Sequence, residues 1–167
     1  MNAATHKPIQ KVCIELGSNI SPEINIPKAA ARLYEIFTVL AISSAWETPP
    51  VGCCGCGNYI NAAMLVESSA TADELKNQLR EIESQLGRVR TNDKFSPRPI
   101  DLDVLLIDDE LIEPDLWRYA HLAVPVAELL PELSHPRYGG YLCDVANDLV
   151  AETPIKLRSR VSLTPPK

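Results

Sequence analysis

The segment from Thr71 to Gly87 constrains the fold most strongly, because it carries the marks of a helix at both ends. Thr71 and Glu74 have the spacing of a capping box, in which each side chain binds the backbone N–H of the other residue. Apolar residues follow at steps of four, three and four, and Gly87 is placed to end the helix. Apolar runs at residues 59–67 and 100–107 flank it and indicate strands. The sequence therefore predicts a strand–helix–strand unit.

The N-terminal part of the chain shows the same alternation. A short alternating run at residues 11–16 indicates a strand that ends in the turn Gly17-Ser18-Asn19. Ser21 is a candidate helix cap, and apolar residues recur at helical spacing up to about Phe37. Residues 39–46 are rich in β-branched and aromatic residues, which predicts a second strand. The order β-α-β-β-α-β is typical of an α+β, ferredoxin-like fold with a mixed, mainly antiparallel sheet and both main helices on one face.

The C-terminal part is predicted to add helices to this core. Short helical patterns occur from Val124 to Leu130 and from Tyr141 to Val150, whereas prolines interrupt the last segment. A chain of 167 residues has the usual length of one domain. We expect a single domain over residues 1–167, with a core at 10–150 and a loose tail at 151–167.

Composition argues against several classes of protein. The formal net charge is −6 and the cations concentrate in one stretch, which disfavours a nucleic-acid partner. No apolar run reaches the length of a membrane span, and residues 1–10 lack the pattern of a signal peptide. We therefore expect a cytoplasmic protein without a membrane partner, as a monomer or a weak homo-oligomer.

Three cysteines lie close together in a glycine-rich loop at residues 51–58. Cys53, Cys54 and Cys56 have neither the paired spacing of a zinc site nor the spread of a disulfide framework. Reduced thiols are the simplest interpretation, and a redox or metal-binding role stays open as the alternative.

Cationic side chains cluster directly upstream of two carboxylates. Asp101 and Asp103 are two residues apart in a predicted strand, so they face the same side and can hold hard divalent cations. A solvated strand face is the alternative, but two acids in an otherwise apolar strand beside four cations favour a metal site. Such cations neutralise phosphoryl oxygens, so the stretch predicts metal-assisted chemistry on phosphates. The four cations are Arg88, Arg90, Lys94 and Arg98.

Several short motifs resemble one known enzyme family. They are Gly17-Ser18-Asn19, Thr48-Pro49-Pro50-Val51-Gly52, Tyr59-Ile60-Asn61, and Gly87-Arg88-x-Arg90 followed by Pro97-Arg98-x-x-Asp101-x-Asp103. Over residues 11–136 this pattern resembles 6-hydroxymethyl-7,8-dihydropterin pyrophosphokinase, a family of folate biosynthesis. The resemblance implies transfer of the diphosphate of ATP to the hydroxymethyl group of a reduced pterin, with release of AMP.

The resemblance also implies the residues of the site. Asp101 and Asp103 would hold two Mg²⁺ ions, and Tyr59 would stack on the pterin ring. The loops at 48–58 and 88–97 would close over the substrates and exclude water. The implied catalytic residues are Arg88, Arg98, Asp101 and Asp103. The implied ATP-binding residues are Arg80, Glu83, Arg88, Arg90, Lys94, Arg98 and Arg118. The implied pterin-binding residues are Thr48, Pro49, Val51, Tyr59, Asn61, Phe95 and His121.

The sequence departs from the family pattern after the metal strand. The basic loop that reaches ATP in the family is shortened here to residues 113–121. His121 stands where the family has a second aromatic residue that stacks on the pterin, and Arg118 is the candidate to replace part of the missing charge. A catalytically impaired or re-specialised nucleotide- or pterin-binding homologue is therefore the alternative function.

Overall fold

A seven-stranded sheet forms the centre of the computed structural model, which describes residues 7–52, 55–93, 96–137 and 139–164. The strands follow the order β6-β5-β1-β4-β3-β7, and β2 also pairs with β4. The described pairings are antiparallel. The strands are β1 Gln10–Ser18, β2 Thr38–Ile42, β3 Trp46–Thr48, β4 Tyr59–Ser68, β5 Asp101–Ile107, β6 Glu110–Leu111 and β7 Lys156–Leu157. The α-helices are α1 Pro22–Ile36, α2 Ala72–Gln85, α3 Ala120–Leu129 and α4 Leu142–Glu152, and a 3-10 helix spans Pro114–Trp117.

Each face of the sheet is covered by its own pair of helices. Helices α1 and α2 bury one core with Ile14, Leu16 and Met64. Helices α3 and α4 bury a second core with Cys13 and Ala63 on the opposite face. The two main helices therefore share one face, as predicted, and the α+β class is confirmed.

The site lies on the face that carries α3, because side chains alternate along β1. Ile14 and Leu16 point into the core under α1 and α2, so Glu15 and Gly17 point to the other side. Gly17 lies between Asn61 of β4 and Asp101 of β5, and one pleat further Glu15 lies between Ala63 and Asp103. Three central strands thus form the floor of the site.

The predicted second strand at residues 39–46 is two strands in the structure. Ser43 interrupts it: its N–H donates to the carbonyl of Ala63, and its hydroxyl accepts the N–H of Ala63, at 2.9 and 2.8 Å. This side-chain bond replaces a backbone bond of the ladder, so β2 ends at Ile42 and β3 begins at Trp46. The predicted continuity was wrong because a hydroxyl competes locally with strand pairing.

The helix ends follow the sequence in α2 and depart from it elsewhere. The capping box of Thr71 and Glu74 is present, and Gly87 has a φ of +88° just after the helix. Ser21 precedes α1 with a left-handed φ of 43° and without a side-chain cap bond, so the predicted cap was wrong. Helix α3 begins at Ala120 and contains Pro125, because burial of this apolar stretch outweighs the cost of the proline.

The prediction of a loose tail at residues 151–167 was also wrong for the described part of this segment. Helix α4 continues to Glu152, β7 pairs with β3, and Val161 and Leu163 are buried in the core under α1 and α2. The prolines of this segment led to the prediction of a loose tail, although Val161 and Leu163 are apolar, two positions apart and buried in the same core. Within the described ranges, no helix has the length and hydropathy needed to cross a membrane.

Candidate active site

A cavity of about 360 Å³ opens on the α3 face, at the ends of β1, β4 and β5. Its floor is the strand residues described above, and one wall is the loop that follows β3. The opposite wall comes from the 3-10 helix and the start of α3. The lining includes Glu15, Gly17, Thr48, Pro49, Val51, Tyr59, Asn61, Arg98, Asp101, Asp103, Glu113, Asp115, Tyr119 and His121.

The amide of Asn61 is held in one orientation. Asn61 is 2% exposed, and its Nδ2 donates a 2.8 Å hydrogen bond to the hydroxyl of buried Thr48. Its Oδ1 points over Gly17, where a Cβ atom would lie only 3.1 Å away. A Cβ atom at this position would therefore press on the amide of Asn61, whereas glycine leaves the amide oxygen in place as an acceptor that faces the cavity.

Aromatic rings border the same cavity. Tyr59 lines it from β4, and His121 lines it from α3. The rings of Tyr119 and His121 stack with centroids 5.5 Å apart and an interplanar angle of 22°. Burial lowers the pKa of His121 to about 4, so its imidazole is neutral at physiological pH. A neutral, planar ring suits contact with the face of a heterocycle.

Ion pairs hold the predicted phosphate-binding arginines. Arg88 donates to the carboxylates of Glu83 and Asp101, and Arg98 donates to the second oxygen of Asp101. Arg90 donates to Glu83 at 2.6 Å. Burial alone would raise the pKa of Asp101, but the hydrogen bonds and charges of Arg88 and Arg98 hold it below its ordinary value. The guanidinium groups are thus positioned by carboxylates.

Asp103 carries a charge that nothing nearby fully compensates. Solvent reaches it through the cavity mouth, yet loss of most surrounding water and the charges of Asp101 and Glu83 raise its pKa to about 6. Two adjacent carboxylates of this kind fit a divalent cation. Among the described residues no group of three or more acidic, histidine or cysteine side chains is placed to hold a metal. One or two carboxylates together with substrate phosphates are the ligands that Mg²⁺ typically uses in proteins.

A second cavity of about 410 Å³ lies along the arginine loop. Arg88, Arg90 and Arg98 line it, together with Ser96. Arg98 also lines the first cavity, so the two cavities are neighbours that share this residue. A basic cavity and a cavity with an amide, aromatic rings and carboxylates are thus adjacent.

Three predicted ATP-binding residues lie elsewhere. Glu83 is 1% exposed and accepts hydrogen bonds from Arg88, Arg90 and the backbone N–H of Leu102, so it faces the arginines. Arg80 is exposed on α2 and lines neither of these two cavities, and the guanidinium of Arg118 lies 5.1 Å above the ring of Tyr119. Helical spacing placed Arg80 and Glu83 one turn before Gly87 but did not fix which side each faces. Lys94 and Phe95 lie outside the described residues.

Sequence patterns missed several cavity residues. Glu113, Asp115 and Tyr119 come to the site through the 3-10 helix, which has no periodic signal. Glu15 did leave a signal, since it is a charged residue two positions before Gly17 in an otherwise apolar run. Burial first, and then the charges of Asp103, Asp101 and Glu113, raise the pKa of Glu15 well above its ordinary value.

The cysteine loop contributes Cys56 to the cavity wall. Cys56 takes part in a disulfide bond, so the predicted reduced state was wrong for this residue. Cys53 and Cys54 lie outside the described residues, whereas Cys13 and Cys143 are free thiols.

Comparison with known proteins agrees with this geometry. The sequence pattern of the 7,8-dihydro-6-hydroxymethylpterin-pyrophosphokinase (HPPK) family matches residues 13–131. The chain belongs to this family. It is 32% identical over 136 residues to the 2-amino-4-hydroxy-6-hydroxymethyldihydropteridine pyrophosphokinase of Aquifex aeolicus, with 76% of this chain and 84% of that protein covered. The Bacillus subtilis protein of the same name is 34% identical over 131 residues, with 72% and 78% covered.

A solved structure supports the fold. The HPPK-DHPS protein of Plasmodium falciparum superposes with a TM-score of 0.71 at 10% identity, over 89% of this chain and 47% of that chain. The chain thus spans about half the length of that protein. Membership of the HPPK family and the predicted class of enzyme, a pyrophosphokinase, are confirmed.

Proposed function

We propose that the protein transfers the diphosphate of ATP to the hydroxymethyl group of 6-hydroxymethyl-7,8-dihydropterin and releases AMP. The observation that carries this proposal is that Arg98 lines both cavities. Asp101 and Asp103 lie at the same place, on the floor of the acceptor cavity. A phosphate chain along the arginine loop would therefore reach an alcohol that is bound over β1.

The first cavity would bind the pterin. Asn61, with its amide fixed by Thr48, accepts a hydrogen bond from the polar ring edge, and the loop at Pro49 and Val51 closes the wall. Tyr59 and the neutral ring of His121 cover the ring faces. Phe95 stays a sequence-based expectation for the same subsite.

The second cavity would bind the phosphates. Arg88, Arg90 and Arg98 are held by Glu83 and Asp101, and they exchange part of these ion pairs for phosphoryl oxygens when ATP binds. Their charges stabilise the bridging oxygen as it leaves the β-phosphorus. Lys94 is expected to add a further cation.

Asp101 and Asp103 would hold two Mg²⁺ ions. When bound, this metal would neutralise phosphate charge and so favour displacement at the β-phosphorus. The role of the protein is to keep both carboxylates on one face of β5, next to the acceptor cavity. Asp101 would hold the metal in addition to its ion pairs with Arg88 and Arg98.

An assay of AMP release tests the function. We expect the purified protein to release AMP from ATP and Mg²⁺ only when 6-hydroxymethyl-7,8-dihydropterin is present. Asp101→Ala and Asp103→Ala should abolish the reaction, and Asp109→Ala, in the exposed turn after β5, is the matched control. Full activity of either cavity variant would contradict the metal role. Pterin binding by the unmodified protein without AMP release would instead support the impaired homologue.

We further propose a single-domain cytoplasmic protein that is a monomer or a weak homo-oligomer and has small-molecule partners alone. The net charge of −6 supports the lack of a nucleic-acid partner. Light scattering at several protein concentrations would test the oligomeric state.

A further inference from the structure

Glu15 lies in the middle of the cavity floor and has no part in the function proposed above. It projects from the central strand β1, with Ala63 beside it on β4 and Asp103 on β5. One pleat further along β1, Gly17 leaves the floor open. Glu15 is thus the carboxylate between the predicted metal pair and the predicted pterin amide.

The position of Glu15 is costly for the folded protein. The residue is half-buried, and among the described residues its carboxylate makes no hydrogen bond or ion pair, although the charge of Arg98 opposes the rise of its pKa. The nearby acids Asp103, Asp101 and Glu113 repel its charged form. The carboxylate lines the open cavity, so a ligand bound there would supply the hydrogen-bond partner that the protein does not.

The side chain is aimed at the space over Gly17. A Cβ atom on Gly17 would lie 3.6 Å from Oε1 of Glu15 and 3.1 Å from Oδ1 of Asn61. The amide nitrogen of Asn61 already donates to Thr48, so its free atom toward this space is an oxygen. Two hydrogen-bond acceptors therefore border the same small volume.

A ring edge with two neighbouring N–H donors complements such a pair of oxygens. In a 2-amino-4-oxo-pteridine, the exocyclic amino group and the adjacent ring N–H form a donor pair of this kind. Each of the two protein oxygens would accept one of these N–H groups, so neither is left without a partner in the complex. A 2-oxo analogue presents an acceptor in place of the amino group and would leave an oxygen of the protein unpaired.

We propose that Glu15 is a specificity-determining residue for the acceptor, and that it selects, together with Asn61, a ring edge with a 2-amino group. This inference rests on the proposed function, since it concerns the same cavity. Glu15 belongs to the acceptor subsite and is not a third metal ligand. It raises the affinity for the pterin and leaves the affinity for ATP unchanged.

Binding titrations with two stable ligands test the proposal. Calorimetry compares 6-hydroxymethylpterin with 6-hydroxymethyllumazine, its 2-oxo analogue, in the wild type, Glu15→Ala and Glu15→Gln. We expect Glu15→Ala to weaken pterin binding by roughly 10- to 100-fold and lumazine binding far less. Glu15→Gln keeps an acceptor oxygen, so its affinity for the pterin should lie between those of the wild type and Glu15→Ala. Glu110→Gln, on exposed β6, is the matched control and should bind like the wild type.

The titrations separate this inference from the function on which it rests. No binding of either ligand by the wild type would overturn the proposed function itself. Equal losses for pterin and lumazine would show a packing role for Glu15 and overturn the inference alone. The inference would also fail if Glu15→Gln kept its pterin affinity but changed the Mg²⁺ concentration needed for AMP release. Circular dichroism checks that each variant folds. If Glu15→Ala does not fold, the pterin and lumazine affinities of Glu15→Gln, the smaller change, decide the outcome.

Discussion

Glu83 links the end of α2 to three other parts of the site. Its carboxylate accepts the backbone N–H of Leu102 at 2.9 Å and binds Arg88 and Arg90, although it is 1% exposed. A buried carboxylate of this kind is tolerated only because cations and an N–H compensate its charge. The residue acts on the phosphate cavity through the arginines that it holds.

Replacement of Glu83 by glutamine should therefore damage stability and catalysis together. Glu83→Gln removes the charge and leaves Arg88 with one carboxylate, so the free energy of unfolding should fall by about 3 kcal/mol. KM for ATP should rise, because Arg90 loses its anchor. Urea unfolding and steady-state kinetics measure both effects, with exposed Glu81→Gln as the matched control. Wild-type stability of Glu83→Gln would contradict this account.

The neutral state of His121 predicts a dependence of stability on pH. The pKa of His121 is about 4 in the folded protein and about 6.5 when unfolded, so only the unfolded chain gains the proton between these values. The stability that comes from the neutral ring is present above about pH 6.5 and is lost as pH falls toward 4. His121→Phe keeps a planar ring without titration and should lose less stability over this range. Parallel stability curves for the two proteins, from urea unfolding at pH 4 to 7, would refute the prediction.

The positions of side chains were predictable where the residues concerned belong to one strand or helix. The period of a strand placed Asp101 and Asp103 on one face, and both line the first cavity. The phosphate-binding role of the nearby arginines stays a prediction. Glu15 became a cavity residue only when β1 was placed between β4 and β5, and Tyr119 only when the 3-10 helix was folded over the floor. Contacts between distant segments are not encoded in local periodicity.

Helix α2 is the element whose ends the sequence defines most clearly. The Thr71 hydroxyl accepts the N–H of Glu74 at 3.3 Å, and the Glu74 carboxylate accepts the N–H of Thr71 at 2.7 Å. At its other end the helix carries Glu83 and leads into the arginine loop. The cap therefore stabilises the element that positions the phosphate cavity.

Loss of this cap should destabilise the protein without a direct effect on substrate contacts. Thr71→Ala removes one acceptor at the helix start, so the free energy of unfolding should fall by about 1 kcal/mol. Thr71→Ser keeps the hydroxyl and should restore most of it. Urea unfolding of the three proteins measures the series, and an equal loss in the serine variant would show that the threonine methyl group, and not the hydroxyl, is responsible.

Strong periodic elements were predictable, and short ones were not. The strands β1 and β4 and the helices α1 and α2 have enough residues for a repeated pattern. Strands β6 and β7 have two residues each, and they form because a neighbouring strand offers free backbone groups. Ser43 broke the second predicted strand with a single hydroxyl, which no pattern of apolar residues records.

At the scale of the whole molecule, the C-terminal segment is tied to the loop between β3 and β4. Arg158 donates to Glu47 at 2.6 Å and to Glu23 of α1 at 2.7 Å. Asn58 donates to the other oxygen of Glu47 at 2.8 Å, and this bond, followed by the contacts of Arg158, lowers the pKa of Glu47. Glu47 precedes the loop and Asn58 follows it, so both ends of the loop meet at one carboxylate that Arg158 holds.

Removal of the Arg158 side chain should therefore affect the acceptor more than ATP. Arg158→Ala frees Glu47 to move with the loop, so KM for the pterin should rise several-fold while KM for ATP stays close to that of the wild type. Because the ion pairs are partly exposed, the free energy of unfolding should fall by only about 1 kcal/mol. Arg160→Ala removes a neighbouring exposed cation and is the matched control for net charge. If both variants raised KM for the pterin equally, charge and not the link through Glu47 would be the cause; if neither did, the segment would only complete the core through Val161 and Leu163.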